Sequence, residues 1–182
     1  MEDTEPRKKL VNWLSKIKFL KDQIEKLEKL KDFPIVAISV FLLKCQIIEF
    51  ELKQFIFSLD LHLYSQNHSK LLRRKIRSPK DLDDLTLGKL KKELNQFIRP
   101  LGVPIVFKTG KSTAPTMKDT LEELKLNLGL LVDKRNEFTH RLFSQGKEIV
   151  KMNEEAVEGI EVASRTIYLL EILEKEIKDY EN

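Results

Sequence analysis

Apolar side chains in the first part of the chain fall at Leu10, Trp13, Ile17, Leu20, Ile24 and Leu27, a three-four alternation that marks one face of a helix. The positions between them are mostly charged, which predicts an amphipathic helix from about residue 5 to residue 30, about 40 Å long. Asp32-Phe33-Pro34 ends it, because proline is accepted in the first turn of a new helix and resisted inside an old one. From Ile35 to Leu63 the chain is apolar on most of its circumference and then amphipathic, the pattern of a central bundle helix. Ser78-Pro79-Lys80-Asp81 supplies the cap, the proline and the acidic third position of a helix start, and a further helix is predicted over Leu85 to Phe97. Pro100 to Pro115, with Gly102, Pro104 and Gly110, breaks the pattern and reads as a long loop with a short extended piece at Val103 to Phe107. Thr116-Met117-Lys118-Asp119 offers a capping box for the next helix, which Gly146 should end, and Asn153-Glu154-Glu155 a cap for the last one. The expectation is an all-α, single-domain, up-and-down bundle of about five helices.

The penultimate helix carries the most informative residues. Leu121, Leu124, Leu128, Leu131 and Phe138 form its apolar series, Leu142 continues it, and Arg135 stands on the same series. A guanidinium does not lose its charge, so at a core-facing position it must find a carboxylate, carbonyls, a phosphate or a wet cleft. Asn136 and His140 follow within a turn and a half. At ~100° per residue Arg135 and His140 point about 140° apart, so another element must close any site they share. Leu126 and Leu130 give the helix a second apolar face, to be covered by the chain's own second helix or by another copy of the chain.

Composition narrows the class. The chain has 182 residues, 41% of them hydrophobic, and six glycines and six prolines leave long stretches without either, which suits helices better than short strands and turns. Thirty-three Lys+Arg against 29 Asp+Glu give a net charge of +4, which permits an anionic partner without demanding one. The basic side chains concentrate in a run holding Lys70, Arg73, Arg74, Lys75, Arg77 and Lys80; Arg73, Arg74, Lys75 and Arg77 are candidates to track RNA phosphates. No aromatic residue interleaves them, so base stacking is not indicated there. Thr109-Gly110-Lys111-Ser112-Thr113 has the look of the end of a phosphate-binding loop, but Ile105 stands where the first glycine is required and Pro115 precedes any helix. Lys108 and Lys111 remain candidates for contact with RNA backbone. Cys45 is a single cysteine in an apolar helical pattern, and His62 and His68 fit no ligand spacing, so no disulfide framework, metal or cofactor is expected. The most apolar run, Ile35 to Leu43, is shorter than the ~20 residues of a membrane span. The acidic start Met-Glu-Asp-Thr-Glu is the opposite of a secretory signal, and the expected location is the cytoplasm.

Arginine, four residues and histidine, with a polar residue after the arginine, resembles the signature of the HEPN superfamily of small α-helical domains, here carried by Arg135, Asn136 and His140. Leu85-Thr86-Leu87-Gly88-Lys89-Leu90 is also similar to a stretch found in uncharacterised members. The resemblance implies a metal-independent endoribonuclease that uses the ribose 2′-hydroxyl as internal nucleophile. His140 would then trade the protons, histidine having an ordinary pKa of ~6.5. Arg135 would hold the phosphate and stabilise charge on its oxygens, and Asn136 would orient the imidazole or bond the phosphate. The resemblance further implies a homodimer whose two motifs share one cleft, and it admits a toxin or defence role with an antitoxin or another protein as partner. In one toxin subgroup a tyrosine two residues after the histidine receives a nucleotide modification; Leu142 stands there in this chain, which argues against that regulation. The rival expectation is a non-catalytic helical module that dimerises or binds a nucleotide or RNA.

Overall fold

The computed structural model describes residues 5–30, 35–65, 77–101, 117–144 and 149–181. All regular structure among them is helical: α1 (Glu5–Glu28), α2 (Val36–Ser65), α3 (Pro79–Asp83), α4 (Leu87–Leu101), α5 (Met117–Ser144) and α6 (Ile149–Glu181). The fold is an all-α bundle. The seam of α1 is buried as its spacing requires, with Trp13, Ile17, Leu20 and Ile24 turned inward. Ser78 caps α3, accepting from the Asp81 N–H while the Asp81 carboxylate accepts from the Ser78 N–H at 2.7 Å, which is the capping box its sequence predicts.

α2 packs against each of the other five helices, and its apolar circumference is the reason. Val36, Ile38, Val40, Phe41, Cys45, Ile47 and Ile48 are all buried, so most of the circumference of its first half is turned to other helices, with Gln46 exposed. Residue pairs fix the helix directions. Trp13 and Lys9 at the start of α1 meet Asp83, which Lys53 late in α2 also reaches, while Ile24 packs with Val40, so α1 and α2 are antiparallel. Ala37 meets Asn153 and Lys44 meets Ser164, so α6 runs with α2. Glu49 meets Leu87 and, through Arg77, Asp60 meets Glu93, so α4 also runs with α2. The up-down alternation therefore skips between α2 and α4.

Two tertiary details depart from local reading. α6 begins at Ile149, four residues before Asn153, so Asn153 does not cap its own helix. Its Oδ1 instead accepts the Ala37 N–H at 3.1 Å and satisfies one of the orphan donors at the start of α2. Gly159 of α6 lets that helix lie against Phe41: a Cβ there would stand 2.7 Å from Phe41 Cε2, and Phe41 is itself fixed edge-to-face on Phe138 with centroids 5.2 Å apart. The predicted extended piece at Val103 to Phe107, the Thr116 cap, His68 and the Gly146 stop lie outside the described residues, as does the side chain of His62. No helix among the described residues is long and apolar enough to cross a membrane.

Glu51 is a buried acid on the α1-facing side of α2. Lys21 is 3.7 Å from its Oε1, and its Oε2 finds no hydrogen-bond partner among the described residues. Burial pushes its pKa from 4.5 to about 7, with Lys21 opposing and Glu171 and Glu174 assisting. A carboxyl whose folded pKa is raised binds its proton more tightly in the folded state, so its contribution to stability is full below pH 4.5 and is lost as pH rises through 7. A shift of that size is worth about 3 kcal/mol. Glu51→Gln is expected to gain stability relative to wild type as pH is raised from 5 to 8, read from denaturant midpoints at each pH. Parallel pH profiles for the two proteins would show that Glu51 is not the group responsible.

Candidate functional site

Arg135, Asn136, Thr139 and His140 of α5 line one groove of about 310 Å³ together with Val132 and with Thr86, Leu87 and Gly88 from the corner where α3 gives way to α4. The helix alone sets Arg135 and His140 on different sides, and the Thr86–Gly88 corner supplies the facing wall. That segment is the same one whose sequence carries the second part of the HEPN resemblance. A single chain thus brings the three candidate catalytic residues to one groove.

The guanidinium of Arg135 is partly buried, its side chain 28% exposed, and Nη1 donates to Glu49 Oε2 at 3.3 Å. Glu49 is the partner that a core-facing arginine demands. The same Oε2 accepts the Leu87 N–H at 3.1 Å and so caps α4, while Oε1 lies 3.5 Å from the Lys53 ammonium. Lys53, 3% exposed, donates to the Asp83 carbonyl at 2.8 Å, and the Asp83 carboxylate accepts from Trp13 Nε1 at 3.0 Å and Lys9 Nζ at 3.1 Å. These bonds, Trp13 first, hold the Asp83 carboxyl below its ordinary value. A polar chain therefore runs from α1 through the α3 end and α2 to Arg135, fixing both walls of the groove. Among the described residues no bond engages Nη2 or Nε of Arg135, two donors in the fork geometry that suits phosphate.

Asn136 and His140 are exposed at the outer part of the groove. Thr139 returns its hydroxyl to the Arg135 carbonyl at 2.8 Å, so its donor is spent within the helix. Cys45 lies close enough to Arg135 and Glu49 to feel their charges, but burial drives its thiol up to about 12, and it is no nucleophile. Among the described residues no group of three or more His, Cys, Asp or Glu side chains is placed to hold a metal ion.

The RNA-contact candidates divide. Arg73, Arg74, Lys75, Lys108 and Lys111 lie outside the described residues. Arg77 is turned inward, which corrects its reading as a phosphate contact. It is buried, its backbone N–H and Nε both donate to Asp60 Oδ2, at 3.3 and 2.9 Å, and Nη1 pairs with Glu93. A guanidinium spent on two carboxylates inside the fold does not track RNA phosphates. Glu49 and Lys53 are the residues that sequence reasoning missed. Their signal was present as an acid and a base four apart on a largely apolar helix. Leu126 and Leu130, 68% and 59% exposed, do form a second face of α5, and the chain's own second helix does not cover it.

No protein-family model, curated protein or solved structure matches the chain.

Proposed function

We propose that the chain is a metal-independent endoribonuclease of the HEPN kind, with the Arg135–Asn136–His140 groove as its active site. The observation that carries this reading is the meeting of a half-buried guanidinium, an amide and an imidazole in one groove of a single chain. Arg135 holds the non-bridging oxygens of a phosphodiester, where Nη2 and Nε are directed to the anion and Glu49 fixes the rest of the fork. His140 takes the proton of the ribose 2′-hydroxyl as its oxygen bonds to phosphorus. The phosphorus–5′-oxygen bond breaks, and that oxygen leaves as a hydroxyl protonated by solvent. Asn136 donates to the charged equatorial oxygens, which gain most from fixed donors at the transition state. The products are a 2′,3′-cyclic phosphate and a 5′-hydroxyl end.

The ion pair between Arg135 and Glu49 favours a second reading, in which the arginine is structural and the groove binds RNA or a nucleotide without cleaving it. Incubating purified protein with mixed RNA in EDTA separates the two. Cleavage leaving cyclic phosphate ends is expected; RNA that is bound and stays intact selects the non-catalytic module, and RNA neither bound nor cut removes both readings.

A further inference from the structure

The outward side of α5 is a second feature, independent of the groove. Asp119, Glu122, Leu126, Leu130, Asp133 and Glu137 follow one another at three- and four-residue steps and are all exposed, forming a stripe opposite the buried series of the same helix. Two leucines, 68% and 59% exposed, thus sit between two pairs of carboxylates. Glu122 has Lys125 at 3.5 Å, Glu137 has Arg141 at 2.8 Å, and Asp119 too has a partner, but Lys125 and Arg141 stand beside the stripe, whose own four charged positions are acids.

This charge pattern selects the occupant. A second copy laid antiparallel with Leu126 over Leu130 would set Asp119 against Glu137 twice. Laid parallel about a two-fold axis, it would set each acid against itself. The parallel arrangement sets every acid of the stripe against its like, and the antiparallel one does so at its outer ends while Glu122 meets Lys134, so neither copy supplies cations to all four acids. Two leucines are also a small apolar centre beside the roughly 2,000 Å² or more buried by obligate dimers. A helix with leucines at three- and four-residue spacing and lysines or arginines flanking them matches both parts of the stripe at once.

We propose that the outward stripe of α5 is a docking surface for a basic amphipathic helix of another protein, seated on Leu126 and Leu130 and flanked by Asp119, Glu122, Asp133 and Glu137. The docked helix runs beside the groove, since Asp133 and Glu137 adjoin Arg135, Asn136 and His140 along α5. The surface stands whether or not the groove cleaves RNA.

The test uses a fluorescently labelled synthetic helical peptide of leucine, alanine and lysine in this pattern, and a matched peptide with glutamate for lysine, followed by anisotropy on the full chain. The lysine peptide is expected to bind, more weakly as salt rises, and the glutamate peptide not to bind. Leu126→Ala/Leu130→Ala and Glu122→Gln/Asp133→Asn/Glu137→Gln should each weaken binding about tenfold or more, with helicity by circular dichroism unchanged because all five side chains are exposed. Equal affinity of the variants and wild type overturns the proposal. So does a dimer by light scattering that Leu130→Glu dissociates, because a second copy would then be the occupant.

Discussion

His140→Ala is expected to abolish RNA cleavage while leaving the helical structure and its thermal midpoint in place. The imidazole is exposed at the rim of the groove, so its removal leaves no cavity in the core. What it removes is the group proposed to accept the 2′-hydroxyl proton, a loss of ~10²–10⁴ in rate by itself. Arg135→Ala should be as damaging to cleavage and should also weaken RNA binding, because the fork proposed to hold the phosphate is gone. Its cost to stability is about 1 kcal/mol, since Glu49 retains the Leu87 N–H and Lys53. Arg135→Lys keeps the charge and loses the fork, so it should bind RNA better than the alanine variant and still cleave poorly. Cleavage that survives in the His140→Ala protein would place the chemistry on another residue.

Local pattern accounts for much of the fold. The seam of α1, the apolar circumference of α2 and the capping box at Ser78 are each settled by residues within a few turns of one another, and the structure shows all three. The demand of Arg135 for an anionic partner is equally local, a matter of one charge on an apolar series. Which group answers it is not local. Glu49 lies 86 positions away in the sequence, and only the antiparallel packing of α2 on α5 brings the pair together. Asn153 shows the same limit from the other side, because a residue with every local mark of a cap for α6 serves the start of α2 instead. The run from Lys70 to Lys80 misleads for a related reason: proximity in sequence suggests one solvated patch, while Asp60, a buried acid late in α2, draws Arg77 out of it. In each case the deciding partner sits on an element whose placement depends on the whole core.

Arg77→Ala is expected to destabilise the fold by about 3–5 kcal/mol, the range for removing one partner of a buried ion pair. Asp60 is 0% exposed, and Arg77 gives it bonds from Nε at 2.9 Å and Nη2 at 3.4 Å besides the backbone N–H. Truncation at Cβ takes the guanidinium from both Asp60 and Glu93, while the backbone N–H of residue 77 still reaches the buried Asp60 carboxylate. It also cuts the link by which α2 and α4 are held side by side at this end of the bundle, with Glu49 and the Leu87 N–H as the link at the other. Because the damage is a buried carboxylate that has lost this guanidinium, it should be reversible by removing the carboxylate. Asp60→Leu combined with Arg77→Met should recover most of the lost stability, and denaturant titration of the single and double variants measures the recovery. A loss under 1 kcal/mol for Arg77→Ala would mean that the Arg77 guanidinium is not what holds Asp60 in the fold, and would reopen the case for Arg77 as a cation of the basic run.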